Sequence, residues 1–206
     1  MTTKERIVDE ALSLFAVKGY NGTSVKNIAD AVGIKDSSLY KHFKSKRAIL
    51  DRIVETILEH IGEMSESFGL PDDVDIEGAA DIYTSFDEER LVEFSRRIFL
   101  FYLKDSYVSR FWQMGNIEQY QNPEVCTVFR KLFLEDSISY QTALFAEMKK
   151  RGGLNGPDAQ AMAIYFYAPI FFLLSKYAGA PEKEEEALAI LGNQVREFYR
   201  IYGSKA

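Results

Sequence analysis

Histidine and cysteine are nearly missing: two and one, respectively, in 206 residues. The lone Cys126 has no partner for an intrachain disulfide, and no Cys or His spacing supplies the ligands of a metal site. The expectations are a reduced, cytoplasmic setting and no metal or cofactor. Two histidines also leave a di-iron bundle without ligands, and neither a Ser-His-Asp set nor a Gly-rich phosphate loop is apparent. No enzyme is expected, a helical-bundle enzyme or lipid-handling protein being the competing class. The N-terminal Met-Thr-Thr-Lys-Glu-Arg lacks the apolar core of a signal peptide. The most apolar stretch, Ala161 to Leu174, contains Pro169 and falls short of the ~20 residues that cross a bilayer. It reads as a buried helix that either kinks at Pro169 or bends to accommodate it. No strand pattern and no internal repeat stands out.

Aromatic residues are abundant, at 14%, and only Phe15, Tyr20, Tyr40 and Phe43 fall in residues 1–60. Charge is divided just as unevenly. Residues 1–52 hold ten Lys or Arg against six Asp or Glu, whereas the whole chain carries -6. An acidic body is repelled by phosphates, so contact with nucleic acid is confined to the basic end.

Helical periodicity opens at once. Ile7, Val8, Ala11, Leu12, Leu14 and Phe15 form one apolar face, Thr2 and Glu5 have capping-box spacing, and Gly19 marks the end. Thr23 or Ser24 caps a short helix that turns Val25, Ile28, Ala29 and Val32 inward, and Gly33 supplies a tight turn. Asp36 is placed to cap the next helix, which anchors itself by Leu39 and Phe43. Ser45 starts a fourth helix, with Ile49, Leu50, Ile53, Ile57 and Ile61 inward, running to a break at Phe68-Gly69-Leu70-Pro71. Further helices are expected at 76–86, 88–103, 106–114, 123–151, 157–178 and 183–202.

Two short helices around a Gly-containing turn can project the second into a major groove, which is ~12 Å wide and admits one helix. A solvated hairpin with a basic face has the same spacing. The residues themselves carry a resemblance: Ile-Val-Asp-Glu-Ala-Leu-Ser-Leu-Phe, then Gly19-Tyr20, Thr23-Ser24-Val25, Ile28-Ala29, Val32-Gly33 and Leu39-Tyr40-Lys41-His42-Phe43 with Lys46. Over residues 4–50 this resembles the DNA-binding region of TetR-family regulators. The resemblance implies an all-α chain with a three-helix helix-turn-helix DNA-binding domain at 1–46 and a larger helical ligand-binding and dimerisation domain at 47–206, about nine helices in total. It implies a cytoplasmic, homodimeric transcription regulator, read as a repressor released from a palindromic operator when a small apolar or amphipathic ligand binds the C-terminal domain.

The flanks of the second helix add the cations Lys26, Lys35, Lys44, Lys46 and Arg47. Carried over by position from the resemblance, Thr23 and Ser24 offer hydroxyls and helix-start amides to phosphate. Ser37, Ser38 and Lys41 are the base-edge readers; Tyr40, His42 and Lys46 are the backbone clamps. His60, on the fourth helix, reads as a surface or core-edge residue. For dimerisation the stripes are Ala161, Ile164, Ala168 and Phe172, and Leu188, Leu191, Val195, Phe198 and Tyr202, with intrachain packing as the alternative. Candidates for an apolar cavity are Phe99, Tyr102, Phe111, Trp112, Phe129, Phe133, Tyr140, Tyr165 and Phe166. Asp136 or Glu147 faces that cavity to pair with a ligand, or else forms a salt bridge to Arg96, Arg97 or Arg130, or is exposed.

Overall fold

A computed structural model describes residues 1–67, 69, 74–156 and 158–204. Eleven α-helical segments follow one another: α1 (Thr3–Lys18), α2 (Val25–Val32), α3 (Asp36–His42), α4 (Lys46–Ser67), α5 (Ile76–Thr84), α6 (Glu88–Lys104), α7 (Ser106–Glu118), α8 (Pro123–Arg130), α9 (Asp136–Lys150), α10 (Ala159–Tyr177) and α11 (Glu184–Tyr202). The single helix expected at 123–151 is interrupted by a π-helical turn, Lys131–Glu135, between α8 and α9. Of the break expected at Phe68-Gly69-Leu70-Pro71, only Gly69 lies among the described residues, with φ 77°. Residue 157, the expected start of the next helix, also lies outside them.

Two compact units emerge, Met1–Glu63 with Lys104–Arg130, and Met64–Leu103 with Lys131–Ala206.

In the first unit the caps do what the sequence asks. Glu5 N–H donates to Thr2 Oγ1 at 3.3 Å, and Thr2 N–H donates to Glu5 Oε2 at 2.8 Å. Between the two candidate caps of α2 the structure selects Ser24, whose Oγ accepts Asn27 N–H at 3.1 Å. Gly33, at φ 77°, closes α2 in the left-handed conformation that a side chain disfavours. Asp36 is not the cap of α3; it is the first helical residue, and Lys35 precedes it without a side-chain bond. Its carboxylate still complements the positive end of the helix. Ile7, Leu12, Phe15, Ile28, Leu39, Ile49, Leu50, Ile53 and Ile57 are fully buried, and Phe43 nearly so.

Within that unit α7 lies along α1, and α8 follows α7. Arg110 of α7 reaches Asp9 Oδ1 at 2.7 Å and Ser13 Oγ at 2.6 Å. Asp105 caps α7 through Oδ1, and its Oδ2 lies 2.9 Å from His60 Nδ1, which gives that histidine a half-buried structural place.

In the second unit, α9 packs on α5 and α10, around Ala79, Ala80, Phe94, Leu144, Phe145, Met148, Met162 and Phe198. The rings of Phe166 and Phe198 meet at 4.9 Å, edge to face. Tyr167 donates its hydroxyl to the carbonyl of Phe133, inside the π turn. Burial pushes the Tyr167 phenol pKa well above its usual value, so it remains a donor. The α10 helix continues through Pro169.

One glycine is set by packing and not by backbone freedom. A Cβ on Gly115, in α7, would collide with the ring of Phe129 in α8. Alanine in a helix interior ordinarily gains ~1 kcal/mol over glycine. Here Gly115→Ala is expected to lose about 1–3 kcal/mol, the usual cost of overpacking. The check is a lowered denaturation midpoint at unchanged slope.

Candidate nucleic-acid interface

Seven residues make α3, and their faces are sharply divided. Leu39 is fully buried and Phe43, just past the helix, is 5% exposed, while Ser37, Tyr40, Lys41 and His42 lie open and Ser38 is half-buried. Tyr40 is 52% exposed, so its ring is not packed into the module core. Among the described residues, no hydrogen bond or ion pair inside the protein engages the side chains of Ser37, Ser38, Tyr40, Lys41 or His42. Lys26, Lys35 and Lys44 are likewise exposed and uncommitted. Together they give α2, α3 and the turns beside them a set of exposed cations and hydrogen-bonding groups, the chemistry that phosphates and base edges accept.

Other basic residues face inward. An Arg6 guanidinium nitrogen donates to the carbonyl of Val32 at the end of α2, tying α1 to the turn before α3. Lys46, expected to clamp the DNA backbone, instead donates from Nζ to Tyr20 O at 2.7 Å and Thr23 O at 2.9 Å. The same ammonium lies 4.2 Å from the centre of the Tyr20 ring. Desolvation lowers the Lys46 pKa, and the charge of Glu118 opposes that fall. Lys46 therefore holds the turn between α1 and α2. Thr23 is also reassigned: it is 1% exposed and donates its hydroxyl to Gly19 O at 2.9 Å, away from any phosphate. Ser24 remains exposed, its Oγ engaged with Asn27.

The nine aromatic cavity candidates divide between the two units. Phe111, Trp112 and Phe129 are buried in the first, with the Trp112 and Phe129 rings 5.3 Å apart. Phe99 and Phe133 are buried in the second, Tyr102 and Phe166 are half-buried, and Tyr140 and Tyr165 are exposed. Asp136 points outward and pairs with Lys131 at 2.6 Å. That pairing spans five residues, a separation that the wider π turn brings together and an α-helix does not. Glu147 pairs with Lys150 at 2.7 Å and Arg151 at 3.1 Å, and these two hydrogen bonds hold its carboxyl below the usual range. Both carboxylates thus have protein partners, though not the arginines that spacing suggested.

Of the two dimerisation stripes, only the first faces out. Ile164 and Phe172 are 42% and 61% exposed and Ala168 is exposed, with Ala161 half-buried. Leu191, Val195 and Phe198 are closed into the protein's own core, and Leu188 and Tyr202 are half-buried. On α11, Ile190, Glu197 and Ile201 are exposed, with Gln194 half-buried between them. An open groove of about 330 Å³ lies over Tyr165, Gln194, Glu197, Phe198, Ile201 and Tyr202.

Three residues that sequence reasoning passed over, Asn21, Glu118 and Asn122, form a polar cluster behind the interface. Glu118 Oε1 accepts Asn21 N–H at 3.0 Å, and Asn122 Nδ2 donates to Asn21 Oδ1 at 3.2 Å. Asn21 lies 97 and 101 positions from the other two, beyond any local pattern.

Replacing Lys46 with methionine keeps the stem and removes the donors to Tyr20 O and Thr23 O. Tyr20 O keeps the Thr23 amide at 3.3 Å and Thr23 O is left unsatisfied. Such a carbonyl costs about 1–3 kcal/mol when buried, so the loss expected from thermal or urea unfolding is of that order. A variant as stable as the parent would return Lys46 to the surface set.

The family described as "Bacterial regulatory proteins, tetR family" matches residues 7–53. The biofilm operon icaADBC HTH-type negative transcriptional regulator IcaR of Staphylococcus aureus (strain Newman) is 41% identical over 61 residues, 30% of this chain and 33% of that protein. IcaR of Staphylococcus epidermidis is 40% identical over 57 residues, 28% of this chain and 31% of that one. The matched segment thus spans about a third of the length of these relatives. The fold extends much further. A putative TetR-family transcriptional regulator from Mesorhizobium loti MAFF303099 superposes with a TM-score of 0.70 at 18% identity, over 98% of this chain and 97% of the other. The SmeT-triclosan complex does so with a TM-score of 0.68 at 22% identity, over 100% and 94%. Over residues 7–53 the chain is thus similar to the tetR family of bacterial regulatory proteins, and over nearly its whole length it shares the fold of these solved neighbours.

Proposed function

We propose that this protein is a sequence-specific, DNA-binding transcription regulator, a cytoplasmic homodimeric repressor that leaves a palindromic operator when a small apolar or amphipathic molecule occupies its body. The observation that carries the reading is the outward side of α3, where Ser37, Ser38, Tyr40, Lys41 and His42 have no internal partners while Leu39 and Phe43 hold the helix down. Lys26, Lys35 and Lys44 supply phosphate contacts beside it, and exposed Ser24 marks the start of α2. In functional terms residues 1–46 form the DNA-binding domain and 47–206 the regulatory one. Repression is supported by the IcaR relatives, which are negative regulators.

Two half-sites about one turn apart, ~34 Å, require two modules, hence a dimer. The surface that favours pairing is α10. It is long and apolar enough to cross a membrane by length and composition, yet only 33% of its most apolar window is buried. Ile164, Tyr165, Ala168 and Phe172 form an exposed row there, and Ile190 and Ile201 of α11 extend it. The effector reading is supported by the aromatic surplus of the second unit and by the neighbour bound to triclosan. Phe99, Tyr102, Phe133 and Phe166 are the residues of that unit placed to meet an apolar molecule. Ligand binding favours a form in which α4 turns and the two modules no longer fit one duplex; that form must bind ligand better than the DNA-bound one does.

Selection from random duplex DNA, followed by binding at several salt concentrations, tests the core of this reading; an enriched palindrome and a steep salt slope are expected. Lys35→Ala should weaken all duplexes alike and flatten the slope by about one, whereas Lys41→Ala should relax preference at particular positions. No enriched sequence and no slope would return the protein to the enzyme or carrier class.

For the dimer, Phe172→Glu should yield a folded monomer in sedimentation with weakened operator binding, because it places a charge on an apolar contact. Leu191→Glu should lose the fold itself, since that side chain is wholly inside.

A further inference from the structure

The turn that leads into α2 is gripped from two sides, and the second grip comes from the corner between α7 and α8. Glu118, the last residue of α7, is 3% exposed. Its Oε1 accepts the amide hydrogen of Asn21 at 3.0 Å, while Oε2 is buried with no hydrogen-bond partner. Its carbonyl closes the corner by accepting from Gln121 N–H and Asn122 N–H, each at 2.9 Å. Asn122 in turn caps α8, accepting from Glu124 and Val125 amides at 3.1 and 3.2 Å, and donates to Asn21 Oδ1. Gly19 completes the fit, since a Cβ there would collide with Glu118 Oε1, and its φ of 76° disfavours any side chain.

A carboxylate buried with one oxygen unbonded is costly unless opposite charge lies close by. Lys46 supplies that charge from the opposite side of the same turn, where it holds Tyr20 O and Thr23 O. Arg47, next along α4, pairs with Glu124 of α8. Residues 19–23 are therefore fixed between α4 and the α7–α8 corner, all inside one compact unit.

We propose that Glu118 is a positioning residue for DNA recognition: by holding Asn21 N–H and facing Lys46 it fixes the turn from which α2 and α3 are presented, and so makes the aim of α3 depend on the α7–α8 corner. This rests on the DNA-binding reading above. A residue of this kind touches no phosphate, so its loss leaves the salt slope intact while specific binding falls.

The test uses the full-length chain with Glu118→Ala and Glu118→Gln, the duplex selected by the parent, and a scrambled duplex. Asn21 amide exchange is followed by NMR and stability by thermal unfolding. Glu118→Ala should speed Asn21 exchange at least tenfold and lower affinity for the selected duplex at least tenfold, with scrambled binding and the salt slope unchanged. Glu118→Gln keeps an oxygen acceptor and should hold both quantities within about threefold of the parent. The proposal is overturned if Glu118→Ala frees Asn21 yet binds the selected duplex as the parent does, or if, with its fold intact, it loses selected and scrambled binding equally. Should Glu118→Ala fail to fold, Glu118→Gln decides alone: selected and scrambled binding falling equally would overturn the proposal. If the parent selects no duplex at all, the functional reading fails first, an outcome distinct from a parent that selects and variants that match it.

Discussion

A seven-residue helix has almost no stability of its own in water, because nucleation consumes the conformational freedom of a full turn before any hydrogen bond is returned. Helix α3 exists because Leu39 and Phe43 are buried against the rest of the first unit, and its exposed side is free to be polar because it contributes nothing to that burial. Everything around it serves to hold this short rod at a fixed angle. Gly33 turns the chain sharply, Arg6 ties that turn to α1, and Lys46 ties the preceding turn to α4. Moving any of these anchors re-aims α3 as a body.

That division explains why the basic residues of the first 52 positions are not equivalent. Arg6, Lys46, Arg47 and Arg52 have their charges engaged by carbonyls or carboxylates of the protein, so they stabilise the module and contribute little to a phosphate field. Lys26, Lys35, Lys41 and Lys44 remain for solvent or for a duplex. The excess of positive charge counted along the sequence is real, but its useful part is smaller and concentrated near α2 and α3. Against an acidic body this local concentration, not the net charge, determines where an anion approaches.

Local chemistry was legible and long-range chemistry was not. The α1 capping box, the Gly33 turn, the start of α4 at Ser45 and the inward set Leu39 and Phe43 each depend on residues within four positions of one another, where spacing determines geometry. Lys46 was misread because its partners, Tyr20 and Thr23, are more than twenty positions away and use backbone carbonyls, which no side-chain pattern records. Thr23 was misread because a hydroxyl before a helix has two uses, capping and inward bonding, and only the packing of Gly19 decides between them. Glu118 and Asn122 gave no signal, since a carboxylate at a helix end reads as solvated until another segment covers it.

The body shows the same limit in another form. A stripe at helical spacing identifies an apolar face, and α11 does turn Leu191, Val195 and Phe198 to one side; periodicity cannot state whether that side meets the protein's own core or a second copy. For α11 it meets the core. For α10, hydrophobic on almost every side, two apolar faces compete, with Met162, Ala163, Ile170 and Leu173 inward and Ile164, Ala168 and Phe172 left outside. An apolar row of that size on a water-facing helix is costly to leave uncovered, and a second α10 related by a twofold axis would present the same row in return. The symmetry that would cover α10 is also the symmetry a palindrome needs, so one interaction would satisfy both the unburied surface of the body and the pairing of two short recognition helices.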